Sequence, residues 1–429
     1  MGGSVFTSGS DALYTPRMPP AVYLAVRDRC HAILRELFIV VASPIDGPGK
    51  LDFGDVDVLV ALPKDTASDP RRLLDTAIER LGPVRASVAA HDGKASIAIP
   101  WPAGFLDVVP DMEPDDVDVN VDGAGISTPR SPDTPPAYIQ VDIAIVPSLR
   151  QFHWSLFKHG HGDFWNIIGS AVLRPLGFTV DERALWLRVP EIEQAHRNRA
   201  KVYLSDDPAV VLSFLHLPIR GCWDAPFPSA WALFAYCTTC RFFVLPSDRS
   251  LRDGLKANDR RRLHFRPLFR QWATEYVPAQ RDRMSASSGS AAAPVSDEAV
   301  PTRESARDAA FDYFPGSQAR FEAARTSWLR ERHLLAVRTA AKAAVPATLP
   351  SRYRGEVCAA VRRHLGIVMA DAAADPLNNQ NRAAEEAAAA WTVESVAAYV
   401  RAEWAAIATA AIPKGHAQYL ASLEAEAQA

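Results

Sequence analysis

Three acids hold the densest chemistry in this sequence. Asp55 and Asp57 lie in GDVDVLV (54–60), where a glycine-bearing turn leads into an apolar segment. Along an extended strand, residues two apart point to the same face. Two carboxylates so placed repel each other unless a cation lies between them. Asp142 sits inside VDIAIV (141–146), an otherwise apolar run where an isolated buried carboxylate would be costly. If the two strands are neighbours, the three acids form a hard oxygen site suited to Mg²⁺ or Mn²⁺. Two such ions can activate an attacking oxygen and clamp a leaving pyrophosphate. An Asp-x-Asp after glycine is by itself an ordinary strand-edge turn. The second strand with its own acid is what singles this pair out.

Other reactive residue types have competing readings. His153, His159 and His161 occur in QFHWSLFKHGHGDFWN (151–166) and could ligate a metal, but no cysteine pair with zinc spacing lies nearby. The alternative is a turn lining a ligand pocket, with Asp163 capping the helix that follows. Cys237 and Cys240 form a CxxC in an apolar helical run, where cysteines usually serve as small core residues. Residues 249–270 interleave Arg249, Arg252, Lys256, Arg260, Arg261, Arg262, Arg266 and Arg270 with His264, Phe265 and Phe269. Such a stretch can grip phosphates and stack bases, or it can be a solvated helix face packed inward by its aromatics.

The elements that must position these groups follow from periodicity. Residues 19–41 read as a helix behind Pro19–Pro20, and VDVLVALP as a buried strand. DPRRLLDTAIERLG has an Asp cap and a Gly stop. RASVAAHDGKASIAIPW reads as a hairpin about Asp92–Gly93. A polar loop over 108–136 leads to the strand YIQVDIAIVP, and a helix over roughly 160–175 precedes two short strands around Asp181–Glu182. Beyond residue 200 the chain is helical, and 279–303 is rich in Ser, Ala and Pro, as in a flexible linker. Trp328, Trp391, Tyr399 and Trp404 recur at helical spacing in an Ala/Arg-rich tail that reads as a small bundle.

A chain of 429 residues implies two or three domains, and 48% hydrophobic residues suffice for their cores. No apolar run is long enough to span a membrane and no secretory leader is evident. A net charge of −3 excludes a uniformly basic nucleic-acid coat. Five cysteines in this length make no disulfide framework, pointing to an intracellular protein, cytoplasmic or nuclear.

GDVDVLV and VDIAIVP resemble the metal-binding strands of the nucleotidyltransferase superfamily, and most closely the palm of family X, polymerase beta-like DNA polymerases. DGK (92–94), GFTVDERALWL (177–187) and LSDDPAVVLSFLHLP (204–218) resemble the family's Gly-rich hairpin, its Gly-Phe-Thr strand and the helix opening its last palm segment. The resemblance implies an α+β fold: a nucleotidyltransferase palm with a mixed sheet over 19–218, behind a flexible 1–18. A helical extension (219–278), the linker and an α-helical domain (304–429) follow. It implies Asp55, Asp57 and Asp142 as ligands of two Mg²⁺ (or Mn²⁺) ions, with Asp142 helping to activate the incoming hydroxyl.

An NTP would be the donor, contacted by Ser43, Lys50, Gly54, His161, Arg260 and Arg261. Where the family has Gly-Ser, this chain has Ala42-Ser43-Pro44, and Gly47 and Gly49 could restore an amide nest. With about twenty residues ahead of the first helix and no helix-hairpin-helix pattern evident, a lyase-type region before the palm is not expected. Template-independent addition to RNA, single-stranded nucleic acid, protein or a small molecule is therefore expected over templated gap filling. The alternative is a non-catalytic nucleotide- or RNA-binding protein, or an interaction protein, on a degenerate form of the same fold.

Overall fold

A computed structural model describes residues 3–67, 69–89, 93–110, 135–246, 257–288, 300–366 and 390–428. Its fold is α+β. Two compact units are present: 1–188 with 201–318, and 189–200 with 319–429.

The first unit is built on a five-stranded mixed sheet in the order β1-β2-β5-β4-β3. Helix α1 (Pro20–Leu37) opens with Pro20 at its first turn and ends at Phe38. The chain there turns extended as β1 (Phe38–Ala42), which pairs antiparallel with β2 (Asp55–Pro63). The expected helix to residue 41 is thus four residues too long: Phe-Ile-Val-Val is β-branched and aromatic, and packs better in a pleated edge than in a helical turn. Helix α2 (Pro70–Leu81) has the anticipated punctuation. Asp69 caps the amides of Arg71 and Arg72, and Gly82 closes it in the left-handed conformation. β3 (Arg85–Val88) and β4 (Lys94–Pro100) form the expected hairpin, although Asp92 lies outside the described residues. So does most of the expected loop 108–136.

β5 (Tyr138–Ile145) lies between β2 and β4, parallel to the first and antiparallel to the second. Alternation divides its two faces. Val56, Val58, Val60, Ile139, Val141 and Ile143 are buried in a core with Val22, Val26 and Leu34 of α1 and with Leu74 of α2. Leu59 and Ala61 lie on the opposite face, packed with Phe152 and Leu156 of helix α3 (Leu149–His159). Asp55, Asp57 and Asp142 share that second face, beyond the apolar patch that α3 covers.

α3 begins where Ser148 caps the amide of Gln151, eleven residues ahead of the expected helix start. The expected single helix over 160–175 is interrupted. Gly160-His161-Gly162 forms a turn with His161 and Gly162 at positive φ, and a short helix α4 (Phe164–Ile167) then runs into a π-helical turn (Ile168–Leu173). A second, antiparallel sheet joins β6 (Phe178–Val180), β7 (Leu185–Arg188) and β8 (Lys201–Ser205).

Helices follow at Pro208–Phe214, where Asp207 caps two amides, at Ala230–Thr238 and at Ala257–Phe265. Arg266-Pro267 breaks the basic stretch before a further helical run reaches Ser288. The expected linker from 279 is therefore helical over its first ten residues, and 289–299 lie outside the described residues. Cys237 and Cys240 are free and buried, as core residues.

In the second unit the described elements are helices. Val337, Ala341 and Val345 pack with Val357 and Val361 of helix Ser351–His364, and with Val396, Val400 and Ile407 of helix Val393–Gln428. Trp391, Tyr399 and Trp404 pack against this core, and Trp328 is buried. Among the described residues no helix is long and apolar enough to cross a membrane.

Candidate functional site

β2 and β5 run parallel with Asp57 opposite Asp142 and Asp55 opposite Gln140. Partners on adjacent parallel strands are about 4.8 Å apart and point the same way. The pairing inferred from two distant motifs is therefore present, with Asp57 and Asp142 abreast and Asp55 two residues along.

The electrostatics follow from this crowding. Burial, then the charge of Asp142, raises the Asp55 carboxyl above its ordinary range. Asp57 is pushed up to about 6 by loss of hydration, then by the charges of Asp55 and Asp142. Acids held near one another and raised toward neutrality are stabilised in their charged form by a cation. Asp142 is turned toward its strand neighbour, and both its oxygens accept from Gln140 Nε2 at 3.0 Å.

Among the described residues no group of three or more His, Cys, Asp or Glu side chains closes into a ready-made metal nest. In donor type, shared face and mutual repulsion, the three acids fit a divalent cation such as Mg²⁺ or Mn²⁺. They form no closed protein cage among the described residues.

Two cavities meet at Asp57. The first, of about 600 Å³, is lined by Asp55 and Asp57. The basic side chains Lys50, Lys158, Arg174, Arg188, Arg262 and Arg266 line it as well, with Asp46 and Glu182. The second, of about 820 Å³, has Asp57 and Asp142 in its wall together with Ser87, Lys94, Ser96 and Arg183. His159 and Glu182 line both, and His159 Nε2 lies 2.9 Å from Glu182 Oε2. That hydrogen bond, with the nearby Lys158, holds the Glu182 carboxyl down at about 2. The pair ties the end of α3 to the β6–β7 turn, where the two cavities join.

The sequence-derived contacts divide. Lys50 lines the first cavity, its ammonium 4.1 Å from the Phe53 ring centroid and 3.6 Å from Asp46. Ser43 does not line it. Its hydroxyl donates to the Asp57 carbonyl at 2.6 Å and lies 2.9 Å from His31 Nε2, fastening β1 to β2. Gly54 is buried beneath the acids rather than in the cavity wall. His161 is 2% exposed, and its Nε2 donates to the Cys222 carbonyl at 2.6 Å. Burial lowers its basicity, and with Ser43 and Cys222 it lines a separate cavity of about 170 Å³ rather than the first. Gly47 lines the first cavity, while Gly49 does not.

Asp163 precedes the helix as expected, but its side chain makes no cap bond. It accepts from Asn166 Nδ2 at 2.9 Å and from the Phe269 amide at 3.3 Å.

Arg260 and Arg261 are exposed. Of the basic stretch the cavity takes Arg262 and Arg266 and not Arg260 or Arg261. Arg262 lies in helix Ala257–Phe265 and Arg266 just past its end in extended backbone, so both reach the cavity although helical spacing alone does not pair them. Arg249, Arg252 and Lys256 lie outside the described residues. Lys158, Arg174, Arg188, Asn166 and Glu182 carried no sequence signal, because the packing of α3, α4 and the second sheet gathers them.

No protein-family model matches this chain, and no curated protein matches it.

Proposed function

We propose that this protein is a nucleotidyltransferase with a palm of the polymerase beta-like type, moving a nucleoside monophosphate from an NTP to a hydroxyl acceptor. The observation that carries the reading is the position of Asp57. It stands beside Asp142 on paired strands and in the wall of two cavities. Among the described residues, one has six Lys or Arg against four Asp or Glu side chains, the other two against three. A triphosphate fits the first cavity, where Lys50, Lys158, Arg174, Arg188, Arg262 and Arg266 balance its charge. The acceptor hydroxyl fits the second cavity, beside Asp142. Two Mg²⁺ or Mn²⁺ ions held by Asp55, Asp57 and Asp142 would supply charge stabilisation at the reacting phosphate. The two cavities then orient donor and acceptor on either side of Asp57, so that the hydroxyl oxygen replaces pyrophosphate at the α-phosphorus.

A second reading, a nucleotide- or RNA-binding protein without turnover, is favoured by one observation. The hydroxyl of Ser43, at the place of the family's phosphate-loop serine, is spent between β1 and β2. Both readings are tested by incubating purified protein and Mg²⁺ or Mn²⁺ with each labelled NTP. The acceptor panel comprises RNA, single-stranded DNA, protein and small polyols. Label transfer that Asp142→Ala abolishes is the expected result. NTP binding with no transfer to any acceptor selects the second reading, and equal transfer by wild type and Asp142→Ala overturns the proposed mechanism.

A further inference from the structure

Residues 3–18 contain no reactive side-chain motif and read as a flexible leader, yet they are fastened across the acid end of the sheet. Phe6 is 4% exposed, and its carbonyl accepts from the Leu13 amide at 2.8 Å, closing a loop. Tyr14 bridges to Ala137 and Met18 to Phe53, just ahead of β5 and β2. Thr15 Oγ1 donates to the Gly3 carbonyl at 2.8 Å.

One main-chain amide of this arm reaches the partner of an acid. The Val5 amide donates to Gln140 Oε1 at 3.0 Å. That bond fixes the orientation of the Gln140 side chain. With Oε1 committed to an N–H, Nε2 is the end presented to Asp142, and it donates there to both oxygens. Gln140 is 2% exposed, so neither end of its amide is served by bulk water.

Gly3 is held close by sterics. Its φ is +82°, and a Cβ at that position would come within 2.2 Å of the Gly54 carbonyl oxygen. Any larger residue must lift the arm from the turn that carries Asp55.

We propose that the arm Gly3–Phe6 and Gln140 are positioning elements of the acidic site, holding Asp55 and Asp142 in place on either side of Asp57. The inference rests on the reading of these acids as a divalent-cation site. Partners of ligating carboxylates set ligand orientation, and their loss commonly weakens metal binding about 10–100-fold. The arm acts on the two outer acids by different routes, through its packing on Gly54 at Asp55 and through Gln140 at Asp142.

The test uses the full chain, with Mn²⁺ as probe followed by paramagnetic titration, and thermal unfolding measured alongside. Gln140→Leu removes both links, Val5→Pro removes only the donor that orients Gln140, and Gly3→Ala displaces the arm from Gly54. Each is expected to weaken Mn²⁺ binding about tenfold or more relative to wild type. Gln140→Leu leaves the arm's backbone unaltered, so it decides the matter if Val5→Pro or Gly3→Ala fails to fold. Lowered melting temperatures with unchanged Mn²⁺ affinity would show an arm that only braces the fold, and would overturn the proposal. Wild-type protein that binds Mn²⁺ yet transfers no nucleotide would count against the transferase reading alone. The Mn²⁺ comparison among variants would still decide the role of the arm.

Discussion

The Asp163 carboxylate accepts the main-chain amide of Phe269, 106 residues away, at 3.3 Å. Its other oxygen accepts from Asn166 and lies 3.6 Å from Arg266 Nη1. Asn166 in turn accepts from Arg262 Nε at 3.0 Å. One buried acid at the head of α4 thereby anchors the basic stretch that supplies Arg262 and Arg266 to the first cavity. A local cap would have satisfied only its own helix. This side chain instead couples the wall of the site to a distant segment.

Replacing that anchor should cost stability and ligand affinity together. Asp163→Ala leaves the Phe269 amide without its acceptor and removes a charged partner from Arg266. Unsatisfied buried donors of this kind cost about 1–3 kcal/mol. Chemical denaturation should show a loss in that range, with weaker NTP binding. Unchanged stability would mean that water replaces the carboxylate at no cost.

The two pairs of arginines separate cleanly by experiment. Arg262→Ala or Arg266→Ala should weaken NTP binding about tenfold, since a hydrogen bond to a charged group is worth about 1.5–3 kcal/mol. Arg260→Ala and Arg261→Ala should stay within about twofold, because exposed side chains outside the cavity contribute little. Nucleotide titrations followed by fluorescence or calorimetry check the ranking. The reverse order would place the nucleotide elsewhere.

Ser43→Ala should act on folding rather than on nucleotide binding. The hydroxyl bridges His31 and the Asp57 carbonyl, so its loss should cost about 1 kcal/mol, the usual net value of one such bond. NTP affinity should be unchanged. A large loss of affinity at unaltered stability would restore Ser43 as a phosphate ligand.

These contrasts show where the sequence was informative. The strand pairing of Asp57 with Asp142 was legible because two acids interrupt two apolar runs, and burial makes such interruptions conspicuous. Lys50 was legible because it follows Gly47 and Gly49 in the loop ahead of the acids. His161, a histidine between glycines, has its Nε2 committed to the carbonyl of Cys222, a partner that only the folded chain reveals. Arg262 and Arg266 needed the end of the helix, which falls between them ahead of Pro267. Gln140 and the arm gave no signal at all, because the arm works through its backbone, which no side-chain pattern encodes.

The acids also set a pH dependence whose sign follows from their shifts. Asp57 is raised from an unfolded value near 3.8 to about 6 in the folded protein. The folded state therefore holds this proton more tightly than the unfolded chain. Its contribution to stability is full below about pH 4 and is lost as pH rises through about 6. Asp55 is raised as well and acts in the same sense. Glu182, held down at about 2, acts oppositely: its contribution is present above about pH 4.5 and lost toward pH 2. Metal-free protein should consequently lose thermal stability between about pH 4 and 7. Asp57→Asn should flatten that slope, matching wild type near pH 4 and exceeding it at pH 7. Mg²⁺ should restore wild type at pH 7 and do little for Asp57→Asn, because the cation offsets the repulsion that the amide has removed. Melting curves with and without Mg²⁺ at pH 4, 5.5 and 7 check this. A wild-type profile that is flat with pH and indifferent to Mg²⁺ would mean that the three carboxylates do not share one field.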